Sequence, residues 1–283
     1  MSIGSTFPFA GPGSQPGEED GAALEYMELP RSMRTYAAPS LPEPEDVTGI
    51  GPALAVLDEV RAAAASMPIE GPPRVFDITH LDAASRAFID QSLGDGEVSI
   101  IAGPGLQVQE SVLAGIWRVH EAGPAGELAR DSIEVGAFPA QVVAIAESAT
   151  LGTMRQQRGA LPAGVQNAIA LVTELEGKIA SWRPGAPAHV INLSLLPLTD
   201  EDVAYLDARL GPGSVTVLSR GYGNCRISST ATLNVWWVRY FNSRDAIVLN
   251  TIEVVGVPSV ACAAVEDLRD SATRLGEILA VYR

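Results

Sequence analysis

The stretch at 221–258, GYGNCRISSTATLNVWWVRYFNSRDAIVLNTIEVVGVP, decides how this chain is read. Val, Ile, Trp, Tyr and Phe recur through it, with Gly and Asn at its corners. Side chains of those types suit a pleated, half-buried surface, so consecutive strands joined by tight corners are expected. Residues 103–139, GPGLQVQESVLAGIWRVHEAGPAGELARDSIEVGAFP, echo it. One offset of 119 aligns Trp117 with Trp236, Val119 with Val238, the IEV at 133–135 with that at 252–254, and Pro139 with Pro258. Upstream, LGDGEVSI at 93–100 matches LGPGSVTV at 210–217 at an offset of 117. Ordered matches of this kind point to an internal duplication.

Working outward from the two copies, the same order of elements recurs. In the first unit, helices are expected over about 52–66 and 81–93, the second capped by Thr79, and a last helix over 137–156. Between them lie strands at 74–78, 98–102, 106–111, 114–119 and 131–135. The second unit repeats this with a helix over 163–182, a strand over 189–196 and a helix capped by Thr199 with acids behind it. The quoted strands follow, and then a final helix from Pro258 striped by Ala261, Val265, Leu268, Ala272, Leu275 and Leu279. The expected fold class is α+β: two tandem similar units, each a mainly antiparallel sheet with helices on one face, related by duplication and meeting about a local pseudo-twofold axis. The boundaries read as an acidic Pro/Gly-rich arm over 1–46, a first unit over 47–160 and a second over 161–283.

Composition narrows the function. The chain of 283 residues is 47% apolar and carries a formal charge of −15. With Lys178 as its one lysine, it lacks the basic footprint of a nucleic-acid binder. No apolar run approaches the ~20 residues that a spanning helix needs. The start lacks a basic region and an apolar block, so no secretory signal is expected. The two cysteines, Cys225 and Cys262, are too few for a disulfide scaffold and fit a reducing cytoplasm. The charge is uneven: the arm has eight acids against two arginines, whereas 161–283 has twelve acids against ten basic residues.

Catalytic and metal patterns are weak. His80, His120 and His189 show no helical metal spacing, and none neighbours a cysteine. The GPG and GYG pieces lie in strand-to-strand turns without a Walker lysine or GxGxxG, so they read as turns. No catalytic residue, metal or cofactor is expected. Cys225 alternates with Arg226 and shares a face with Ile227, which predicts burial; a nearby guanidinium could also lower a thiol pKa, so Cys225 stays among the candidates.

Comparing the copies gives the sharper clue. Trp117, Val119, Trp236 and Val238 share a parity and mark a common core face. On the other parity the first unit has Arg118 and His120, a solvated pattern, where the second has Trp237, Arg239 and Phe241. Aromatics beside arginine are ingredients of a protein-binding hot spot. Arg220, Cys225, Arg226 and Arg244 complete the candidate partner-binding set. Packing of this side against the first unit, or against a second copy in a homodimer, is the alternative.

Residues 221–279 also resemble the C-terminal region of the hydrogenase expression/formation proteins called HupH or HyaF, accessory proteins of uptake nickel–iron hydrogenases. The resemblance rests on GNCRI at 223–227, NVWWVRYFNS at 234–243, LNTIEVV at 249–255, the VP at 257–258 and the EDL at 266–268. It weakens over 50–210. It implies a non-catalytic maturation chaperone in the cytoplasm, whose partner is the hydrogenase small subunit precursor before twin-arginine export. It also implies a thioredoxin-like hydrogenase accessory protein as a second partner. A redox or iron–sulfur delivery role is the competing expectation, and the missing Cys/His ligand set speaks against it.

Overall fold

The computed structural model describes residues 33, 36–68, 71–148, 150–221 and 223–283. The acidic Pro/Gly-rich arm expected over 1–46 therefore falls mostly outside the described residues. The elements run α1 (Gly51–Ser66), β1 (Arg74–Asp77), α2 (Ala83–Leu93), β2 (Val98–Ala102), β3 (Leu106–Glu110), β4 (Ile116–Ala122), β5 (Leu128–Val135) and α3 (Ala140–Ser148). Then follow α4 (Ala168–Ser181), β6 (His189–Asn192), α5 (Asp200–Leu210), β7 (Pro212–Ser219), β8 (Asn224–Thr230), β9 (Val235–Phe241), β10 (Ile247–Val254) and α6 (Val265–Ala280).

The strands form one ten-stranded sheet in the order β1-β5-β4-β3-β2-β7-β8-β9-β10-β6, every neighbouring pair antiparallel. The order reads the same from either end, with corresponding strands meeting at β2 and β7. The expected mixed α+β fold is present, but with one shared sheet in place of two. The reason lies in VSIIA and PGSVTVLS: both central strands are apolar on one parity, and each pairs with the other along Val98–Ala102. An unpaired edge would leave backbone donors and acceptors open to other chains.

Alternation of side chains gives the sheet two faces. One carries Ile100, Val108, Trp117, Val119, Val217, Ile227, Trp236 and Val238, covered by α3 residues Val142 and Ala146 and by Phe138 and Ala261. The other has separate cores at its two ends. Under α1 and α2 lie Ile116, Ile133 and Val135, joined by Leu268, Ala272, Leu275 and Leu279 of α6. Under α4 and α5 lie Ile191, Val235, Trp237, Ile252 and Val254. Helices thus cover both faces, not one, and α6, at the end of the chain, packs on α1 near its start. Its stripe of Leu and Ala at helical spacing needs an apolar seat, and the second unit's seat is already filled by α4 and α5.

Local chemistry repeats between the halves. Ser111 Oγ donates to the Leu113 carbonyl at 2.8 Å, and Thr230 Oγ1, 119 residues on, donates to that of Thr232 at 3.1 Å. Gly115 and Asn234, again 119 apart, have φ of 77° and 58°. The difference between these two has a cause. A Cβ on Gly115 would meet Leu268 Cδ2 of α6 at 2.5 Å, so the helix that crosses over demands glycine there.

Several boundaries differ from those expected. Asp82, not Thr79, caps α2 by accepting the Ser85 N–H at 2.8 Å; Thr79 instead exchanges hydrogen bonds with the Asp131 backbone at 2.9 and 3.2 Å. The helix expected over 137–156 has nine residues, because Leu151 N–H is taken by the Ala231 carbonyl at 2.8 Å. The final helix begins at Val265 after a 3-10 turn at Ser259–Ala261. The Thr199 cap forms as expected, with Asp202 closing a capping box. Asp202 Oδ1 also accepts the N–H groups of Gln166, Asn167 and Ala168 at 2.8–2.9 Å, tying α4 to α5. Burial pulls the pKa of Asp202 up, but the N–H donors of Ala168, Thr199, Gln166 and Asn167 outweigh it and hold the carboxyl at about 2.

Candidate partner-binding face

Between the two helix-covered ends of the second face lies a band of sheet that belongs to none of the three apolar cores. Strand register sets its residues side by side. Ser99 stands opposite Leu218, Leu218 opposite Arg226, and Arg226 opposite Arg239. One step along the strands lie Ile101, Thr216 and Ser228, ending at Trp237 where the core under α4 and α5 begins. Gln107 and Gln109 of β3 extend the band into the first unit. The polar character was legible in the alternating LQVQE of β3, a signal the candidate set omitted.

The pairing of Arg226 with Arg239 is the unusual feature. Directly opposed residues sit with Cβ atoms ~5 Å apart, where like charges disfavour the fold. Both side chains are half-buried. Arg226 Nε is enclosed and has no hydrogen-bond partner among the described residues. Arg239 lies over the Trp237 ring, its guanidinium carbon 4.6 Å from the centroid, a cation–π geometry that favours the charge in place. Trp237 Nε1 in turn donates to Asn250 Oδ1. A hollow of about 240 Å³ opens beside these groups, walled by Asp207, Gly211 and Pro212 at the end of α5 and floored by Thr216, Arg226, Ser228, Trp237 and Arg239.

The structure separates the sequence candidates. Arg226 and Arg239 come together on the floor, and Arg220, half-buried, follows on the same face where β7 ends and its N–H meets the Glu97 carbonyl at 3.2 Å. Arg244 is exposed in the β9–β10 hairpin, whose turn is held by Asn242 Oδ1 accepting the Arg244 and Ala246 N–H groups. Trp237 and Phe241 are on the expected face but buried, at 3% and 7% exposure. Trp237 fills the core beneath α4 and α5, so the surface it contributes to is the guanidinium stacked above it.

Cys225 points to the other face. It is buried beside Tyr240, its cross-strand neighbour. Burial, with the Glu253 carboxylate adding to it against a hydrogen bond from Tyr240, pushes the thiol up to about 12. It therefore leaves the candidate surface. The solvated pattern expected for Arg118 and His120 is likewise corrected. Arg118 is 3% exposed, bonded to Asp131 at 2.8 Å and Asp90 at 3.0 Å, with His120 Nε2 at 3.2 Å. Asp90 belongs to α2, so it is the helix laid over β4 that closes the site.

What the sequence missed is Glu110. It is 9% exposed, and its carboxylate accepts the Gly115 N–H at 3.1 Å. Burial lifts its pKa to about 7, the Gly115 bond opposing and the carboxylates of Glu97 and Asp267 adding. A charge at 110 in LQVQE carries no sequence mark of burial, since α6 supplies Asp267 from the far end of the chain.

Among the described residues no group of three or more His, Cys, Asp or Glu is placed to hold a metal, and no helix is long and apolar enough to cross a membrane. The floor gathers guanidinium forks, whose fixed donor geometry matches that of carboxylate and phosphate oxygens.

Comparison with known proteins agrees on the class, an accessory protein of hydrogenase production. A family described as "HupH hydrogenase expression protein, C-terminal conserved region" matches residues 50–157 and again 165–282. The hydrogenase expression/formation protein HupH of Rhodobacter capsulatus is 51% identical over 279 residues, covering 96% of each chain. The hydrogenase-1 operon protein HyaF of Escherichia coli K12 is 31% identical over 280 residues, covering 96% of this chain and 95% of its own. A solved HupH structure from Thiobacillus denitrificans matches 40% of this chain and 95% of its own at 31% identity, with a TM-score of 0.36. The chain belongs to the HupH/HyaF family of hydrogenase expression/formation proteins.

Proposed function

We propose that this protein is a maturation chaperone of nickel–iron hydrogenase that acts in the cytoplasm and holds the small, iron–sulfur subunit precursor before assembly and twin-arginine export. The observation that carries the reading is the Arg226–Arg239 pair. A like-charged pair set into the floor of a sheet opposes folding, and rule-breaking of this kind is expected where a protein serves another molecule. Arg220 and Arg244 extend the cationic area toward the β9–β10 hairpin.

The sign of this charge refines the partner contact. Guanidinium groups take carboxylates in a two-pronged grip. The segment gripped here is thus an acidic stretch of the partner, and the twin-arginine leader finds its complement on the remaining surface of a chain whose net charge is −15. A thioredoxin-like hydrogenase accessory protein is the second partner in this scheme. The redox reading is disfavoured by the Cys225 thiol, which is enclosed and held neutral.

The two halves, 47–160 and 161–283, are read as products of a duplication that kept the Trp117/Trp236 core and diverged on the other face. Support comes from the palindromic strand order and from one family matching each half. The test is co-purification of the tagged chain with the small-subunit precursor, with and without its leader. Recovery of the precursor in both cases is expected; recovery of neither overturns the proposal.

A further inference from the structure

The two halves of the sheet carry the same hollow in different states. In the first half, Ser99, Gln107, Gln109 and His120 line a recess of about 20 Å³. In the second, Thr216, Arg226, Ser228 and Arg239 line the hollow of about 240 Å³. Thr216 follows Ser99 by 117 residues, and the other three follow their counterparts by 119. Strand register makes the match close. His120 lies opposite Gln107 and Asp131, as Arg239 lies opposite Arg226 and Asn250. Gln109 lies opposite Arg118, as Ser228 lies opposite Trp237. A recess of the first size takes about one water, whereas the second has the volume of roughly eight.

The charges differ with the volume. The first half supplies its own ion pairs: Arg118 bonds Asp131 at 2.8 Å and Asp90 at 3.0 Å. One guanidinium there sits with two carboxylates. In the second half Trp237 stands in place of that arginine and Asn250 in place of Asp131. Trp237 Nε1 donates to Asn250 Oδ1 as Arg118 Nη2 donates to Asp131 Oδ1. Asp207 keeps the place of Asp90, while Arg226 and Arg239 stand where the first half has Gln107 and His120. Two fixed cations therefore meet one exposed carboxylate. Arg239 is held over the Trp237 ring, and the enclosed Nε of Arg226 has no hydrogen-bond partner among the described residues. We infer that this hollow takes one side-chain carboxylate of an acidic partner segment, gripped through Arg226, in place of the carboxylate that the second half lacks. The inference deepens the reading of the floor given above and rests on it. A carboxylate is indicated over a phosphate because carboxylates are what the first half sets against its guanidinium.

The experiment uses the full chain and no hydrogenase component, so failure of carboxylate binding is distinct from failure of precursor capture. The indole N–H signal of Trp237 is followed by NMR while the α-amide of N-acetylglutamate, which carries one carboxylate, is added. A saturable shift is expected, and the binding is expected to weaken as salt is raised. The neutral isostere, N-acetylglutamine amide, is expected to bind at least tenfold more weakly, because it lacks the charge that strengthens the guanidinium grip. Inorganic phosphate is expected to bind no more tightly than the carboxylate. Arg226→Gln copies the first half's Gln107, and Asn250→Asp restores the carboxylate of Asp131. Each is expected to weaken binding of the carboxylate by about tenfold or more, with thermal melts run on the same samples. Asn250→Asp keeps an acceptor for Trp237 and covers the case in which Arg226→Gln fails to fold. No saturable shift, equal binding of the neutral amide, tighter binding of phosphate, or undiminished binding by either folded variant overturns the inference.

Discussion

Trp117 and Trp236 stand 119 residues apart and make the same bond: each indole N–H donates at 2.9 Å to a glycine carbonyl just past the strand that follows, Gly136 in one case and Gly256 in the other. Both rings are buried on the face covered by α3. Trp117→Phe and Trp236→Phe each leave such a carbonyl unsatisfied, a loss of about 1–3 kcal/mol. Urea unfolding of the two variants is expected to show losses of similar size. A loss confined to one of them would mean that the halves do not use these residues alike.

The equivalence has a limit at Gly115 and Asn234. Gly115→Asn copies the second unit's residue into the first, but drives a side chain into Leu268 of α6. Overpacking of this kind costs about 1–3 kcal/mol. Asn234→Gly removes an already strained positive φ and is expected to change stability by less than about 1 kcal/mol. Thermal melts of both variants decide it; equal effects would contradict the crossover packing of α6.

Glu110 makes stability depend on pH. Its pKa is 4.5 when unfolded and about 7 when folded, so between these values the folded state holds the extra proton. Stability from this group is therefore present below pH 4.5, falls as pH rises, and is gone above 7. The full span is at most about 3 kcal/mol, at 1.36 kcal/mol per unit. Glu110→Gln keeps an acceptor for Gly115 and is expected to flatten the profile, gaining stability at pH 8 relative to wild type. Parallel urea curves at pH 5 and pH 8 for the two proteins are the measurement, and an unchanged slope counts against burial of the charge.

A thiol held at about 12 is inert at neutral pH. Cys225 is expected to resist a thiol reagent in the native protein and to react once the chain is unfolded in guanidinium. Cys225→Ser is expected to leave partner capture within twofold of wild type. Rapid native labelling at Cys225 would reopen the redox reading.

Much of the fold was legible because period and turn chemistry are local. The strand cores, the Thr199 cap and the 119-residue echo all follow from neighbours in sequence. What escaped was set by distant packing. The shared sheet depends on β2 meeting β7, and the burial of Arg118 depends on Asp90 of α2. On the candidate face, parity placed Trp237 and Arg239 together correctly, but α4 and α5 decided that the ring is buried in their core while Arg239 stays half-buried above it. Cys225 was readable as buried from its alternation with Arg226, and the structure puts it on the opposite face.

The central claim is that the Arg226–Arg239 floor holds the hydrogenase small-subunit precursor. The direct measurement compares capture of that precursor by tagged wild type and by Arg226→Glu with Arg239→Glu, with thermal melts on the same preparations. The account predicts capture by wild type and a loss of tenfold or more in the charge-reversed protein, with both proteins folded. Undiminished capture by a folded charge-reversed protein would contradict it.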